Sequence, residues 1–246
     1  MKANIITIPS NTKNANICAS SIERTNSELT PVIFEATTPE NNLEHVREVF
    51  GRTMPWGWPK SDLDNRIDIK TSLFLKYYGE ADYTKKVSCA LSHARLWKEC
   101  YESGESMVIL EHDAVFIKKF TEEWLQTHSK DFSKVGAVGL NDPRGCTRKS
   151  GKYYEAIINN GENKLMSIPT IDSPTEGNYP HGLAGNSAYY IKPWAAKELL
   201  DKITHLGEMW PNDAIMCRQL FPWLRVCNPF FTKVQSTGTS SSTTLV

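Results

Sequence analysis

The chain has 246 residues, 40% of them hydrophobic, which is enough for one large domain with a real core or for two small ones. Lys and Arg total 28 and Asp and Glu total 28, so no global field draws the protein to nucleic acid or to a membrane surface. No apolar run approaches the roughly 20 residues that span a bilayer, and Met1-Lys2-Ala3-Asn4 does not lead into the long apolar core of a signal peptide.

Asn4 to Ile8 predicts a short strand, ended by Pro9-Ser10-Asn11. A helix over residues 14–26 follows, which is an α/β beginning. Pro31 to Ala36 reads as a second strand, closed by Thr37-Thr38-Pro39, and Leu43 to Phe50 as a short helix. Residues 51–86 are rich in Trp, Pro, Gly and charge. Within them Met54-Pro55-Trp56-Gly57-Trp58-Pro59 cannot form regular helix. Its two tryptophans either pin the loop to the core or stack on a sugar or base face.

Ser88 to Tyr101 gives the clearest helical pattern, with Ser88 as N-cap and Gly104 placed to end it. Cys89, His93, Leu96 and Cys100 share one stripe, so His93 sits on or beside the inward face, where a lone histidine is more often a satisfied core residue than a ligand. Val108 to Phe116 comes next, an apolar strand interrupted by Glu111-His112-Asp113. A buried, unpaired carboxylate is very costly, so the two acids must lie where the strand reaches an opening. In an open α/β sheet that opening is the crevice at the carboxyl ends of the strands. Two carboxylates two residues apart point the same way, with His112 on the other side. Such a pair can hold a hard divalent cation through oxygen. The plain alternative is a strand end followed by a solvated acidic turn.

Thr121 caps a helix with Glu122 and Glu123 in its first turn, and Val135 to Leu140 reads as an inner strand. Arg144, Arg148, Lys149 and Lys152 make residues 144–152 a basic loop that meets phosphate or is simply solvated. Residues 153–180 look like short strands and loops. Gly185 to Ile191 predicts a strand, Pro193 to Ile203 a helix with proline at its start, and Pro211-Asn212-Asp213 a last helix to Leu220 with Asn212 as N-cap. Residues 236–246 have the composition of a flexible tail, leaving a single domain over 1–235. Six scattered cysteines, with no C-x-x-C, read as reduced thiols in a cytoplasmic protein and give no paired spacing for zinc.

The order of these pieces resembles glycosyltransferase family 25, which includes lipopolysaccharide and lipooligosaccharide sugar transferases and collagen galactosyltransferases. The motifs are Ser88-Cys89-Ala90-Leu91-Ser92-His93 at a helix start, Leu110-Glu111-His112-Asp113 at a strand end, the stretch Gly185 to Leu200, and Pro211-Asn212-Asp213. Ser88 stands where the family usually has glycine and His112 where it has the first Asp of an acidic pair, while Glu111 and Asp113 keep the acid-x-acid spacing. The resemblance covers residues 88–235, with a weaker match from residue 3.

It implies a GT-A type fold, an α/β protein with a Rossmann-like, mainly parallel sheet and helices on both faces. It also implies transfer of a hexose, with inversion, from a nucleotide-diphosphate donor such as a UDP-sugar to a hydroxyl of a glycan such as lipopolysaccharide. Mn²⁺ or Mg²⁺ would offset the negative charge of the leaving diphosphate. Asp113 is then the first metal ligand, and Glu111 contacts the ribose or the metal and its water shell. Ser92 and His93 border the nucleotide, with core scaffolding the alternative for His93. Asp213 is the base on the acceptor side, its alternative being helix N-terminal electrostatics, with Asp142 and Glu208 next in line. Two rival functions stand beside this one: a transferase acting on modified bases of phage DNA, and a non-catalytic nucleotide- or glycan-binding module on the same fold.

Overall fold

Every residue of strand β1 (Lys2–Thr7) after the first is buried. An apolar run that leads into a proline-started turn can be an inner strand and little else. In the computed structural model, which describes residues 1–77, 79, 82–144, 150–171 and 178–235, the chain continues through helix α1 (Thr12–Arg24), strand β2 (Thr30–Glu35) and helix α2 (Asn42–Phe50). Two short strands, β3 (Arg66–Ile67) and β4 (Phe74–Leu75), pair with each other. The long helix α3 (Tyr83–Ser103) leads to β5 (Met107–Glu111) and β6 (Ala114–Phe116). Next come α4 (Glu122–Thr127), β7 (Ala137–Gly139), α5 (Ser150–Ile158), β8 (Lys164–Ser167), β9 (Ala188–Ile191) and α6 (Pro193–Leu206). The one-turn helix α7 (Asn212–Ile215), β10 (Leu224–Asn228) and β11 (Thr232–Val234) finish the described chain.

Seven strands form the main sheet in the order β2-β1-β5-β9-β7-β10-β8. The pairs β1–β2, β1–β5 and β7–β10 are parallel, whereas β9 runs against β5 and β7, and β8 against β10. Five strands therefore point one way, and the sheet is mainly parallel, as expected. Alternation along the strands divides the core in two. Ile109, Tyr189 and Ile191 face one side, packed with Leu91 and Trp97 of α3 and Leu199 of α6. Val108, Leu110, Ala188 and Tyr190 face the other, packed with Ala15 and Ile22 of α1 and Leu125 of α4. Helices thus cover both faces of one α/β domain.

Four local expectations need correction. Ser88 is not an N-cap: α3 starts five residues earlier, where the Asp82 side chain accepts from the Thr84 N–H, and the Ser88 hydroxyl turns back to the Thr84 carbonyl at 2.8 Å. The acid-bearing strand is two strands: β5 stops at Glu111, His112 and Asp113 form a turn, and β6 leaves the main sheet to pair with β11. Residues 150–158 are helical. The last helix is a single turn in which Asn212 is the first helical residue and Pro211 the cap, because the buried Asn212 amide is engaged by Cys89. Arg148 and Lys149 of the basic loop, Cys146, and the tail 236–246 lie outside the described residues. Arg144 is held by Asp142 at 2.6 Å and lies over the Tyr154 ring at 3.9 Å. No helix among the described residues is long and apolar enough to cross a membrane.

Candidate active site

Glu111 ends β5, and its backbone N–H donates to the Ser187 carbonyl at 2.7 Å, which ties the strand end to the start of β9. Helix α3 passes over this end. Its Cys89 and His93 bring their ligand atoms within 4.8 Å of each other and of Glu111. The His93 side chain is fully buried; its Nε2 lies 3.4 Å from Glu111 Oε1 and its Nδ1 2.8 Å from the Tyr189 hydroxyl. The indole Nε1–H of Trp97, a donor only, reaches the same hydroxyl at 2.8 Å. Tyr189 therefore accepts from Trp97, and its own proton goes to His93 Nδ1, the acceptor within reach. That assigns the remaining ring proton to Nε2, directed at Glu111. A buried line of hydrogen bonds, Trp97 to Tyr189 to His93 to Glu111, ends at the carboxylate. Burial is the largest single influence and pushes the Glu111 carboxyl up, but the His93 hydrogen bond and the nearby His93 and His112 imidazoles together outweigh it, and the group ionises below its ordinary value.

Asp113 behaves in the opposite way. Its Oδ1 is buried and accepts no hydrogen bond. Burial, then the nearby Glu111 charge, push its carboxyl up to about 7. Turn geometry, not strand alternation, brings the two acids together. Gln235 fixes that turn: its backbone N–H donates to Asp113 O at 2.7 Å and its amide to His112 O at 3.1 Å.

The third acid arrives from the far end of the chain. Asn212 Oδ1 accepts from the Cys89 thiol at 3.6 Å, which seats α7 beside α3. Cys89 lies close enough to all three acids that its thiol is raised well above the ordinary value, by burial first and then by Glu111, Asp213 and Asp113. The exposed Asp213 also acts on Lys86, one turn before Cys89. Gly182 lies against this segment so closely that a Cβ there would collide with the Asp213 carbonyl oxygen. The alternative carboxylates are engaged elsewhere, Asp142 by Arg144 and Glu208 by the Trp210 indole at 2.8 Å.

Ser92 is buried one residue before His93. Its hydroxyl accepts from Thr37 N–H at 2.9 Å and donates to Ser88 O at 2.8 Å, joining α3 to the end of β2. Two oxygens that the sequence reading missed lie at the same edge: Asn186 Oδ1 and Ser187 Oγ are buried without hydrogen-bond partners. Gly185-Asn186-Ser187 reads as the opening of a strand, and nothing in that pattern marks its side chains as unsatisfied.

The ligand atoms that lie together are one sulfur, one nitrogen and one oxygen, from Cys89, His93 and Glu111. Beside them the buried Asp113 Oδ1, without a hydrogen-bond partner, is an atom a cation would satisfy.

The model of glycosyltransferase family 25, described as an LPS biosynthesis protein, matches residues 2–216. No curated protein matches the chain. Among solved structures, a galactosyltransferase, LgtC, in complex with donor and acceptor sugar analogues is 12% identical, with 92% of this chain and 72% of that one covered and a TM-score of 0.40. Mouse xyloside xylosyltransferase 1, in its apo form, is 9% identical over 98% of this chain and 100% of that one, with a TM-score of 0.47.

Proposed function

The chain belongs to glycosyltransferase family 25, and from that premise we propose that it moves a hexose, with inversion, from a UDP-sugar to a hydroxyl of a glycan acceptor such as lipopolysaccharide. The observation that carries the site assignment is that Cys89 of α3 bridges the two acid-bearing segments, its Sγ lying 4.0 Å from Glu111 Oε1 and 3.6 Å from Oδ1 of Asn212, the residue before Asp213. Asp113 and Glu111 would hold Mn²⁺ or Mg²⁺, which supplies charge neutralisation for the leaving diphosphate.

The remaining roles fall to side chains. His93 donates to Glu111 and keeps it ionised and oriented toward the ribose or the cation. Ser92 and His93 form the wall behind the nucleotide, Ser92 by joining α3 to β2. Asn186 and Ser187 offer oxygens at the same edge. Asp213 is exposed and carried on α7, a segment separate from the Glu111–Asp113 turn. A base that takes the acceptor hydroxyl proton at its Oδ atoms, while that oxygen attacks the anomeric carbon opposite the diphosphate, needs such separation. A cytoplasmic location belongs to the same proposal.

A donor screen tests this reading. The protein is incubated with UDP-, GDP- and CMP-sugars and manganese, with and without chelator, and released nucleotide is measured. Chelator-sensitive release from a UDP-sugar is expected. No release and no binding of any donor would favour a module that kept the fold without the chemistry.

A further inference from the structure

The paired tryptophans of the Pro-Trp loop have different surroundings. Trp58 is buried, edge-on to Trp210 with ring centroids 5.7 Å apart. Trp56 is half-buried and lines a cleft of about 430 Å³ together with Met54, Lys60, Tyr83, Val87 and Met209. That volume lies within the ~300–1,000 Å³ of small-molecule sites.

Backbone hydrogen bonds place this cleft beside the acids. Gly57 N–H donates to Met209 O and Met209 N–H to Pro55 O, each at 2.8 Å, so the loop is stitched to the segment that carries Asp213 four residues later. On the other wall, Tyr83, Lys86, Val87 and Ala90 share one face of α3, next to the stripe bearing Cys89 and His93. Lys86 connects the two, since it feels Asp213. Cleft and carboxylates therefore lie against neighbouring strips of α3, both beside residues 209–213.

The lining has a recognisable chemistry. Tyr83, 44% exposed, and Trp56 line the cleft with aromatic surface, the kind that packs against the apolar face of a pyranose. The Lys60 ammonium stands 4.2 Å from the Tyr83 ring centroid, with no carboxylate in ion-pair range among the described residues. An ammonium above an aromatic wall is complementary to an acidic substituent.

We propose that this cleft is the acceptor subsite and that its occupant is an acidic saccharide, its ring against Trp56 and Tyr83 and its carboxylate or phosphate beside Lys60. The word acceptor rests on the transferase reading; saccharide capture by the cleft does not.

Saturation-transfer NMR titrations test it on the full chain, with methyl β-glucuronide and glucose 6-phosphate as probes and methyl β-glucoside as the neutral control. The acidic probes are expected to bind, and Trp56→Ala to weaken them by about tenfold or more. Lys60→Gln should erase their advantage over the neutral glucoside. Tyr83→Ser, at a position outside the buried core, repeats the test, and circular dichroism checks each variant. Failure of both acidic probes to bind, or equal binding to wild type, Trp56→Ala and Tyr83→Ser, overturns the proposal. Displacement of the saccharide by UDP assigns the cleft to the donor and overturns it equally. Wild-type affinity for UDP-sugars is measured separately: its absence defeats the transferase reading, and the saccharide titrations still decide the cleft.

Discussion

Tyr189 and Tyr190 are adjacent on β9, and both rings are fully buried, yet their hydroxyls lead to different chemistry. Tyr190 faces the α1/α4 side, where its hydroxyl donates to Glu122 Oε1 at 2.6 Å. Glu122 lies in the first turn of a helix capped by Thr121, so this network closes within the scaffold. Tyr189 faces the α3 side and leads through His93 to Glu111, at an edge where Asp113, Asn186 and Ser187 keep unsatisfied oxygens. A buried polar network satisfied at every member rigidifies a fold. One that ends among orphaned acceptors is arranged for something the chain does not itself contain. The contrast between the two tyrosines separates support from site, and it can be broken experimentally.

The largest effect is expected on the site side, away from both tyrosines. Asp213→Asn should fold and bind donor as wild type does but lose about 10²–10⁴ in turnover, the contribution of a positioned base. Initial rates beside calorimetric donor affinity check this; near wild-type turnover would make Asp213 structural.

Tyr189→Phe should come next. It removes the hydroxyl that fixes the His93 tautomer, and the loss of an orienting partner behind a ligand costs about 10–100-fold in metal affinity or activity. Nitrogen-15 NMR of the imidazole, assigned with a His93→Gln control, should show the Nε2–H form in wild type and a shift toward Nδ1–H in the variant. An Nδ1–H wild type would refute the hydrogen-bond assignment.

A smaller effect is set by pH. The Asp113 carboxyl titrates at about 7 in the fold against an ordinary 3.8. Its contribution to stability is therefore fully present below the ordinary value and is lost as pH rises through about 7. In chelator, the urea midpoint of wild type should fall more between pH 5 and 8 than that of Asp113→Asn. Equal slopes would mean that Asp113 is not held in its protonated form.

Activity should change least in Tyr190→Phe. Losing a hydrogen bond to a charged group costs about 1.5–3 kcal/mol of stability, visible as a lower unfolding midpoint, with turnover intact. A turnover loss matching that of Tyr189→Phe would erase the distinction between the two sides.

Much of this was legible in the sequence. The apolar runs at β1, β5 and β7, the Gly104 stop of α3, the Thr121 cap and the proline start of α6 declare themselves locally, by burial and capping chemistry. So did the position of Glu111 and Asp113 at the end of a strand, because a core strand cannot carry acids. The split after Glu111 was hidden: it depends on β6 finding β11, more than a hundred residues away. Ser88 misled because a serine that caps a helix and one that bonds back inside it look alike without Asp82 in view. The division of labour between Trp56 and Trp58 was equally out of reach, since it depends on Trp210 and Met209. Longer still is the path that brings Asp213 to Cys89. Its local signal was only Pro211-Asn212-Asp213, and Cys89, which holds the neighbouring Asn212, lies in another helix.

The most direct test of the account is manganese binding, followed by electron paramagnetic resonance with and without UDP, in wild type and Asp113→Asn. The account predicts saturable binding to wild type that UDP tightens and that Asp113→Asn abolishes at ordinary metal concentrations. Equal binding by the two proteins, or full donor turnover by wild type in chelator, would contradict the claim that the turn after β5 holds the cation.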